Sequence, residues 1–338
     1  MQFHGGGSFE SRLASAARAE GEARSSVEVA TYTDLDKLVD LTREVDLELT
    51  QVSSGRFQGR TVRASLGDVK MHLSKLSLTT ICQGEVSPGH AIVILPSRWR
   101  GELRWNGTIL DEPAPIMFTR EYIRRASDLE LVGFVLNLRT LKATAAALAG
   151  VTADEIEMPQ GVIRAPRRLI AAQVAAMVEL AQTCREDLSL CDDRDFARRG
   201  EHRIAMASAE LLANLHGQAA AFKPMPVRKK RIAQLAEERF ESAGATPVFL
   251  PDLCVAAGVS ARTLQYVFRD LYGMGPIRYF KMRRISQAHD LLRRATPESG
   301  AIKRAALDAG IHELGRFSVE YRKLFGESPS ATLTRAPD

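Results

Sequence analysis

No stretch of this chain approaches the ~18 consecutive apolar residues that a membrane-crossing helix needs. Cysteine is scarce: Cys82, Cys184, Cys191 and Cys254, with no CxxC pair and no His/Cys cluster at zinc spacing. That argues against a disulfide framework and a structural metal, and it predicts reduced, mostly buried thiols in a cytoplasmic protein. Of the seven histidines, only His72 and His90 fall in the stretch from 55 to 138, and no HxH occurs there. A metal-dependent oxygenase or isomerase needs more ligands than that. There is no GxSxG elbow and no Walker loop, so no residue is assigned a catalytic or metal-binding role. The first 26 residues, rich in Ala, Ser, Gly and charge, lack a signal-peptide core and are expected to form a mobile arm.

What is present is ordinary globular composition: 338 residues, 45% hydrophobic and 26% charged, enough for two or three domains. The charge is uneven. From Arg228 onward there are 19 basic and 12 acidic residues, against 27 and 29 in the rest. A basic C-terminal third points to a nucleic acid or another acidic partner.

Along the chain the texture changes several times. Leu35, Leu38, Val39, Val45 and Leu49 recur near helical spacing, with Asp34 as a cap, which predicts an amphipathic helix over 29–50. From Gly55 to Leu138, short apolar segments broken by Gly, Pro and Asn predict a small β-barrel or sandwich. Helices are expected at 140–150, 165–184 and 195–215. The latter two read as an antiparallel hairpin whose apolar stripes either make a dimer or pack on the barrel. "AAAFKPMPVRKKR" (219–231) reads as a linker, and everything after it as helical.

The last segment contains a repeat. "GVSARTLQYVFRDLYGMGP" (258–276) and "GIHELGRFSVEYRKLFGESP" (310–329) share an offset of 53, with Leu264, Phe268, Leu271, Tyr272, Gly273 and Pro276 matching Phe317, Tyr321, Leu324, Phe325, Gly326 and Pro329. Each copy reads helix, tight turn, helix. Ser260 is a suitable N-cap. Leu264, Phe268 and Leu271 define an inward face, which leaves Arg262, Gln265, Tyr266 and Arg269 on the outer side. A helix-turn-helix that enters the major groove has this pattern. The basic helix "IRYFKMRRISQAHDLLRRA" (277–295) would set the relative position of the two units.

These segments, "VSARTLQYVF", "GMGPIRYFKMRRISQAHDLL" and "FSVEYRKLFGESP" in this order, resemble the DNA-binding domain of AraC-family transcription regulators. The resemblance implies a bipartite helix-turn-helix domain preceded by a cupin-like barrel that senses a ligand or dimerises. It places base readout on Arg262, Gln265 and Tyr266, with counterparts Gly315, Ser318 and Val319 in the second unit. Those three make no bidentate contact, although Val319 can touch a thymine methyl. His312, Arg316 and Arg322 are expected on phosphates. The first unit should therefore read more sequence than the second.

The barrel segment carries arginines that suit an anionic ligand. Arg56 and Arg60 form an RxxxR, similar to the phosphate clamp of PilZ receptors and to the CuxR type of AraC-like regulator, which implies cyclic di-GMP as effector. In "RWRGELRW", Arg98, Arg100 and Arg104 are expected on one face of a strand, opposite Trp99 and Trp105. RxxxR recurs at Arg100/Arg104 and Arg120/Arg124, and no D/NxSxxG accompanies it, so another small ligand or simple ion pairing stays open.

The sequence thus predicts an α+β protein: an arm (1–26), a cupin-like sensor (27–150), a helical hairpin (151–220) that dimerises or transmits a signal, and an all-α DNA-binding domain (221–338). The expected partners are double-stranded DNA, a second copy of the chain and, for an activator, RNA polymerase; no membrane and no cofactor are expected. The competing readings are a cupin-type enzyme or metal-binding protein with a DNA-binding tail, and a scaffold whose repeat binds protein.

Overall fold

A computed structural model describes residues 27–42, 44–218 and 226–335. The expected arm, and most of the expected linker, lie outside them.

The N-terminal half is sheet-rich. Its strands are β1 (Val27–Tyr32), β2 (Val45–Gln51), β3 (Gly59–Leu66), β4 (Val69–Val86), β5 (His90–Arg98), β6 (Leu103–Trp105), β7 (Thr108–Leu110), β8 (Ile116–Phe118), β9 (Tyr122–Asn137) and β10 (Gly161–Val162). The frame is the pair of long antiparallel strands β4 and β9, whose register breaks between Leu76 and Thr79. Leu78 and Asp128, both at positive φ, stand at that break and bend the pair. On one side of the bend the order is β1-β3-β4-β9-β5-β8-β10; on the other, β2 joins β4, and β6 with β7 joins β9.

Both faces of this sheet are covered, so β5 and the second half of β9, residues 131–136, read as nearly continuous apolar runs. Ala91, Val93, Leu95, Val132, Phe134 and Leu136 belong to one core cluster; Ile92, Ile94, Leu131 and Val135, one residue out of phase, belong to another. The second cluster is filled by Trp105, Phe118 and Tyr122, with Trp105 and Tyr122 stacked 4.6 Å apart.

The first cluster is closed by helices α2 (Leu138–Ala149), α3 (Arg167–Glu186) and α4 (Arg194–Leu215). Met177, Leu180, Ile204 and Leu211 pack with Val62, Leu66 and Phe134, so the hairpin stripe is spent on the sheet. Gly200 sits at that contact, where a Cβ would stand 3.3 Å from Leu180 and 3.5 Å from Leu66. Cys82, Cys184 and Cys191 are buried, and Cys254 is half-buried.

Two expectations fail in this half. The helix over 29–50 is a strand, a short helix α1 (Leu35–Leu41) and a second strand. Val45, Leu47 and Leu49 alternate with a period of two, and β2 pairs with β4 from Val45↔Val86 to Gln51↔Thr80. Asp34, instead of only preceding a helix, pairs with Arg293. "RWRGELRW" is likewise no single strand. β5 stops at Arg98, the chain turns at Gly101 (φ +67°), and β6 starts at Leu103, so the arginines do not share one face.

The C-terminal part is all helix: α5 (Val227–Ser242), α6 (Leu250–Ala257), α7 (Ala261–Tyr272), α8 (Pro276–Arg294), α9 (Ala301–Asp308), α10 (Leu314–Phe325) and α11 (Pro329–Thr334). The basic run 228–231, expected in a linker, lies inside α5, whose Ile232, Ala233, Ala236 and Phe240 enter the core.

Candidate nucleic-acid interface

α7 and α10 have twelve residues each and start 53 positions apart. In the first unit, Gly258 (φ +63°) ends α6, and the Ser260 hydroxyl accepts the Thr263 amide at 3.2 Å to start α7. Leu264, Val267, Phe268 and Leu271 are buried against α5 and against Tyr279 and Phe280 of α8. In the second unit, Phe317, Tyr321 and Leu324 pack on Ile285, Ala288 and Leu292 of α8. α8 is thus the shared spine.

The outward residues fall as the spacing requires. Arg262, Tyr266 and Arg269 are exposed and Gln265 is half-buried. His312, Arg316, Val319 and Arg322 are exposed, as are Gly315 and Ser318. An exposed valine (69%) on a helix otherwise anchored by aromatics suits contact with an apolar group outside the molecule. Arg316 lies 3.9 Å from Glu313, and the His312 Nε2 is 2.9 Å from the Ala245 carbonyl oxygen. His312 therefore also ties α10's entry to the turn after α5.

The sequence reading missed Lys229. From α5 it donates to Asp270 at 2.8 Å and to the Tyr266 hydroxyl at 3.3 Å, and its ammonium stands 4.9 Å from the Tyr266 ring centre. The Asp270 hydrogen bond raises its pKa. It places a fixed cation beside the exposed face of α7. The signal was its place in a basic run, which the linker reading obscured.

The adjacent pair Arg283 and Arg284 of α8 serves structure. Arg284 donates to the carbonyls of Gly244, Thr246 (3.0 Å) and Ala309 (3.1 Å), tying the end of α5 to the end of α9. Arg283, 6% exposed, pairs with Glu241 and with Glu48 of β2. Beside it, Glu237 of α5 accepts from Tyr272, Tyr279 (3.2 Å) and Gln83 of β4 (3.0 Å). Burial pushes the Glu237 carboxyl up to about 7, against the pull of Arg283 and the two tyrosines. The seam between the sheet and the helices is therefore hydrogen-bonded and charged, with Val52, Ile81 and Ile123 in the same core cluster as Phe268 and Phe280.

The expected ligand arginines are dispersed. Arg56, 3.6 Å from Glu327, borders a cavity of about 300 Å³ between the sheet and the helices, lined also by Asp34, Gln51, His289 and Phe325. Arg60 is exposed on β3 opposite Lys75. Arg98 reaches Glu130 (3.9 Å) and Arg100 reaches Asp128 (3.4 Å), while Arg104 pairs with Glu102. His72 and His90 sit on β4 and β5, which β9 separates; His72 lies 3.7 Å from Glu44, and His90 turns to the Ser87 carbonyl. Among the described residues no group of three His, Cys, Asp or Glu side chains is placed to hold a metal ion, and no helix is long and apolar enough to cross a membrane.

Comparison with known proteins agrees with the geometry of the C-terminal part. Residues 253–335 match a family described as a helix-turn-helix domain. A probable thc operon regulatory protein of Rhodococcus erythropolis is 33% identical over 133 residues, 39% of this chain and 40% of that protein. The XylDLEGF operon transcriptional activator 2 of Pseudomonas putida is 33% identical over 105 residues, 31% of this chain and 64% of that protein. The chain covers less than two thirds of either. Among solved structures, a probable AraC family transcriptional regulator from Rhodopseudomonas palustris is 34% identical over 32% of this chain and 98% of its own, with a TM-score of 0.28. The AraC-like transcriptional activator CuxR matches 83% of this chain and 100% of its own at 14% identity and a TM-score of 0.40.

Proposed function

We propose that this chain, which belongs to the AraC family, is a sequence-specific DNA-binding regulator of transcription whose two recognition helices, α7 and α10, read successive major-groove faces of one duplex. The observation that carries this reading is the pair of equal helices, offset by 53 residues, with apolar sides buried and polar sides exposed. Arg262, Gln265 and Tyr266 read bases, Arg269, Arg316 and Arg322 hold phosphates, and Val319 meets a thymine methyl. The named activator among the relatives supports activation, and with it contact to RNA polymerase. The chain works in the bacterial cytoplasm as a dimer, which tethers two DNA-binding domains.

Residues 27–150 sense an effector and 151–220 transmit its binding. The cavity bordered by Arg56 and Gln51 touches both halves of the chain and is the effector site. Cyclic di-GMP is the first ligand to try, because guanidinium groups pair with phosphates and stack on purines. Titration calorimetry with cyclic di-GMP should give heat with the wild type and none with Arg56→Ala, whereas Arg60→Ala, outside the cavity, should keep it; a silent wild type removes that effector.

DNA binding itself is tested by a titration at several salt concentrations. Affinity should fall steeply with salt as released counterions are replaced. Affinity that ignores salt would favour the scaffold reading.

A further inference from the structure

The C-terminal turns of both recognition helices are held by the sheet. α7 ends at Gly273 (φ +67°) and α10 at Gly326 (φ +70°). The last carbonyls of a helix have no partner within it and carry the negative end of its dipole. In α7, the Asp270 carbonyl accepts from the Arg104 guanidinium at 2.9 Å. In α10, the Leu324 carbonyl accepts from the Gln51 amide at 2.7 Å and from the Gly55 N–H at 3.0 Å. The closing glycines are covered from the same side. A Cβ on Gly273 would lie 2.9 Å from the Arg125 side chain, and one on Gly326 would lie 3.2 Å from Arg56.

The two donors share one small rigid frame. Gln51 closes β2 opposite Thr80 of β4, Thr80 faces Ala126 of β9, and the next residue of β9, Arg125, faces Arg104 of β6. Three strand spacings separate them, about 14 Å at ~4.8 Å per strand. Each donor is itself oriented. Gln51, 1% exposed, also has its Nε2 2.9 Å from the Ser53 carbonyl oxygen and 2.8 Å from that of Gly55, so its two N–H groups are shared among three acceptors, and Arg104 is held by Glu102. The outward residues Arg262, Tyr266, Arg269, Val319 and Arg322 stay exposed while these contacts are made.

Resting on the DNA-binding reading above, we propose that Gln51 and Arg104 are positioning residues for DNA recognition: by gripping a C-terminal carbonyl of each recognition helix from one strand frame, they fix the separation of α7 and α10. α8, with the Arg284 and His312 bonds between the turn after α5 and the second unit, joins the units at one edge; the sheet supplies a further link from the other side. Because Gln51 and not Arg104 lines the cavity, an occupant there acts on α10 relative to α7.

The test uses the full chain and a DNA site selected by the wild type, with the spacing between its two half-sites changed by one and two base pairs. Dissociation constants are measured for the wild type, Gln51→Met, Arg104→Met and, as control, Arg262→Ala. Wild type should bind one spacing at least tenfold better than its neighbours. Each positioning variant should bind that spacing more weakly and lose at least fivefold of the discrimination. Arg262→Ala should weaken all spacings alike. An unchanged spacing profile, or tighter binding by the variants, overturns the proposal. If Gln51→Met does not fold, Arg104→Lys, which keeps the charge but not the planar fork, decides the matter by the same profile. A wild type that binds no DNA refutes the underlying reading, and the proposal with it.

Discussion

Replacing Glu237 by glutamine should remove most of one pH dependence of stability. Glu237 is buried where the sheet meets the helices and accepts from Tyr272, Tyr279 and Gln83. Burial is the largest effect on it, and its pKa rises from 4.5 to about 7. A raised carboxyl pKa means that the folded chain keeps its proton while the unfolded chain releases it. Stability is therefore full below the unfolded value and is lost as pH climbs from 4.5 toward 7. At 1.36 kcal/mol per unit, the loss is about 3 kcal/mol. Glutamine mimics the protonated acid, so the variant should equal the wild type near about pH 3.5 and exceed it by about 3 kcal/mol near pH 8. Urea unfolding of both proteins at the two pH values gives the comparison, and the difference between them cancels every other titrating group. Parallel pH profiles would refute the account of this carboxyl, as would a wild type that gains on the variant with rising pH.

Further consequences are open to the same kind of measurement. Arg283→Ala leaves Glu48 and Glu241 without their cation and should cost ~3 kcal/mol in unfolding experiments, whereas Arg262→Ala, on an exposed face, should stay within about 0.5 kcal/mol. In DNA binding the order reverses: Arg262→Ala should lose ~1–3 kcal/mol of discrimination at one base pair. Arg322→Ala should weaken binding to all sequences and reduce the salt slope by about one. Ser260→Ala removes the cap on α7 and should lower stability by ~1 kcal/mol, read as a shift in the urea midpoint. Burial also lowers the His72 pKa to about 4, so protonation should destabilise the sheet as pH falls from about 6.5 toward 4, and His72→Gln should flatten that limb.

The helical part was legible because its signals are local. Leu264, Phe268 and Leu271 recur at helical spacing, Ser260 precedes them and a glycine follows, so period, start and stop agree within fifteen residues. The repeat then fixed the second unit, and the two helices have the same length and offset that the repeat requires. The N-terminal stretch misled because Leu35 and Leu38 do form a helical turn, while β1 and β2 are defined by partners 27 to 41 residues away. In "RWRGELRW" alternation continues across a turn that only Gly101 marks. The double-faced sheet erased the alternation by which β5 and the second half of β9 could have been given a side.

At the candidate interface, exposure followed from periodicity, and Arg262, Tyr266, Arg269, Val319 and Arg322 lie where the helical wheel puts them. In the basic helix α8, Arg283 is buried among carboxylates and Arg284 caps three carbonyls, so both charges serve the placement of the units. The grips by Gln51 and Arg104 left no trace in the sequence, because what they hold is backbone.

The most direct test of the central claim is a selection of binding sites by the full-length chain from random duplex DNA. Two enriched half-sites one helical turn (~34 Å) apart are predicted, with most of the sequence information in one of them. Arg262→Ala should erase the preference at a base of the stronger half-site, and Arg316→Ala should leave both preferences intact. A selection that enriches no sequence, or equal loss of discrimination by both variants, would contradict the account.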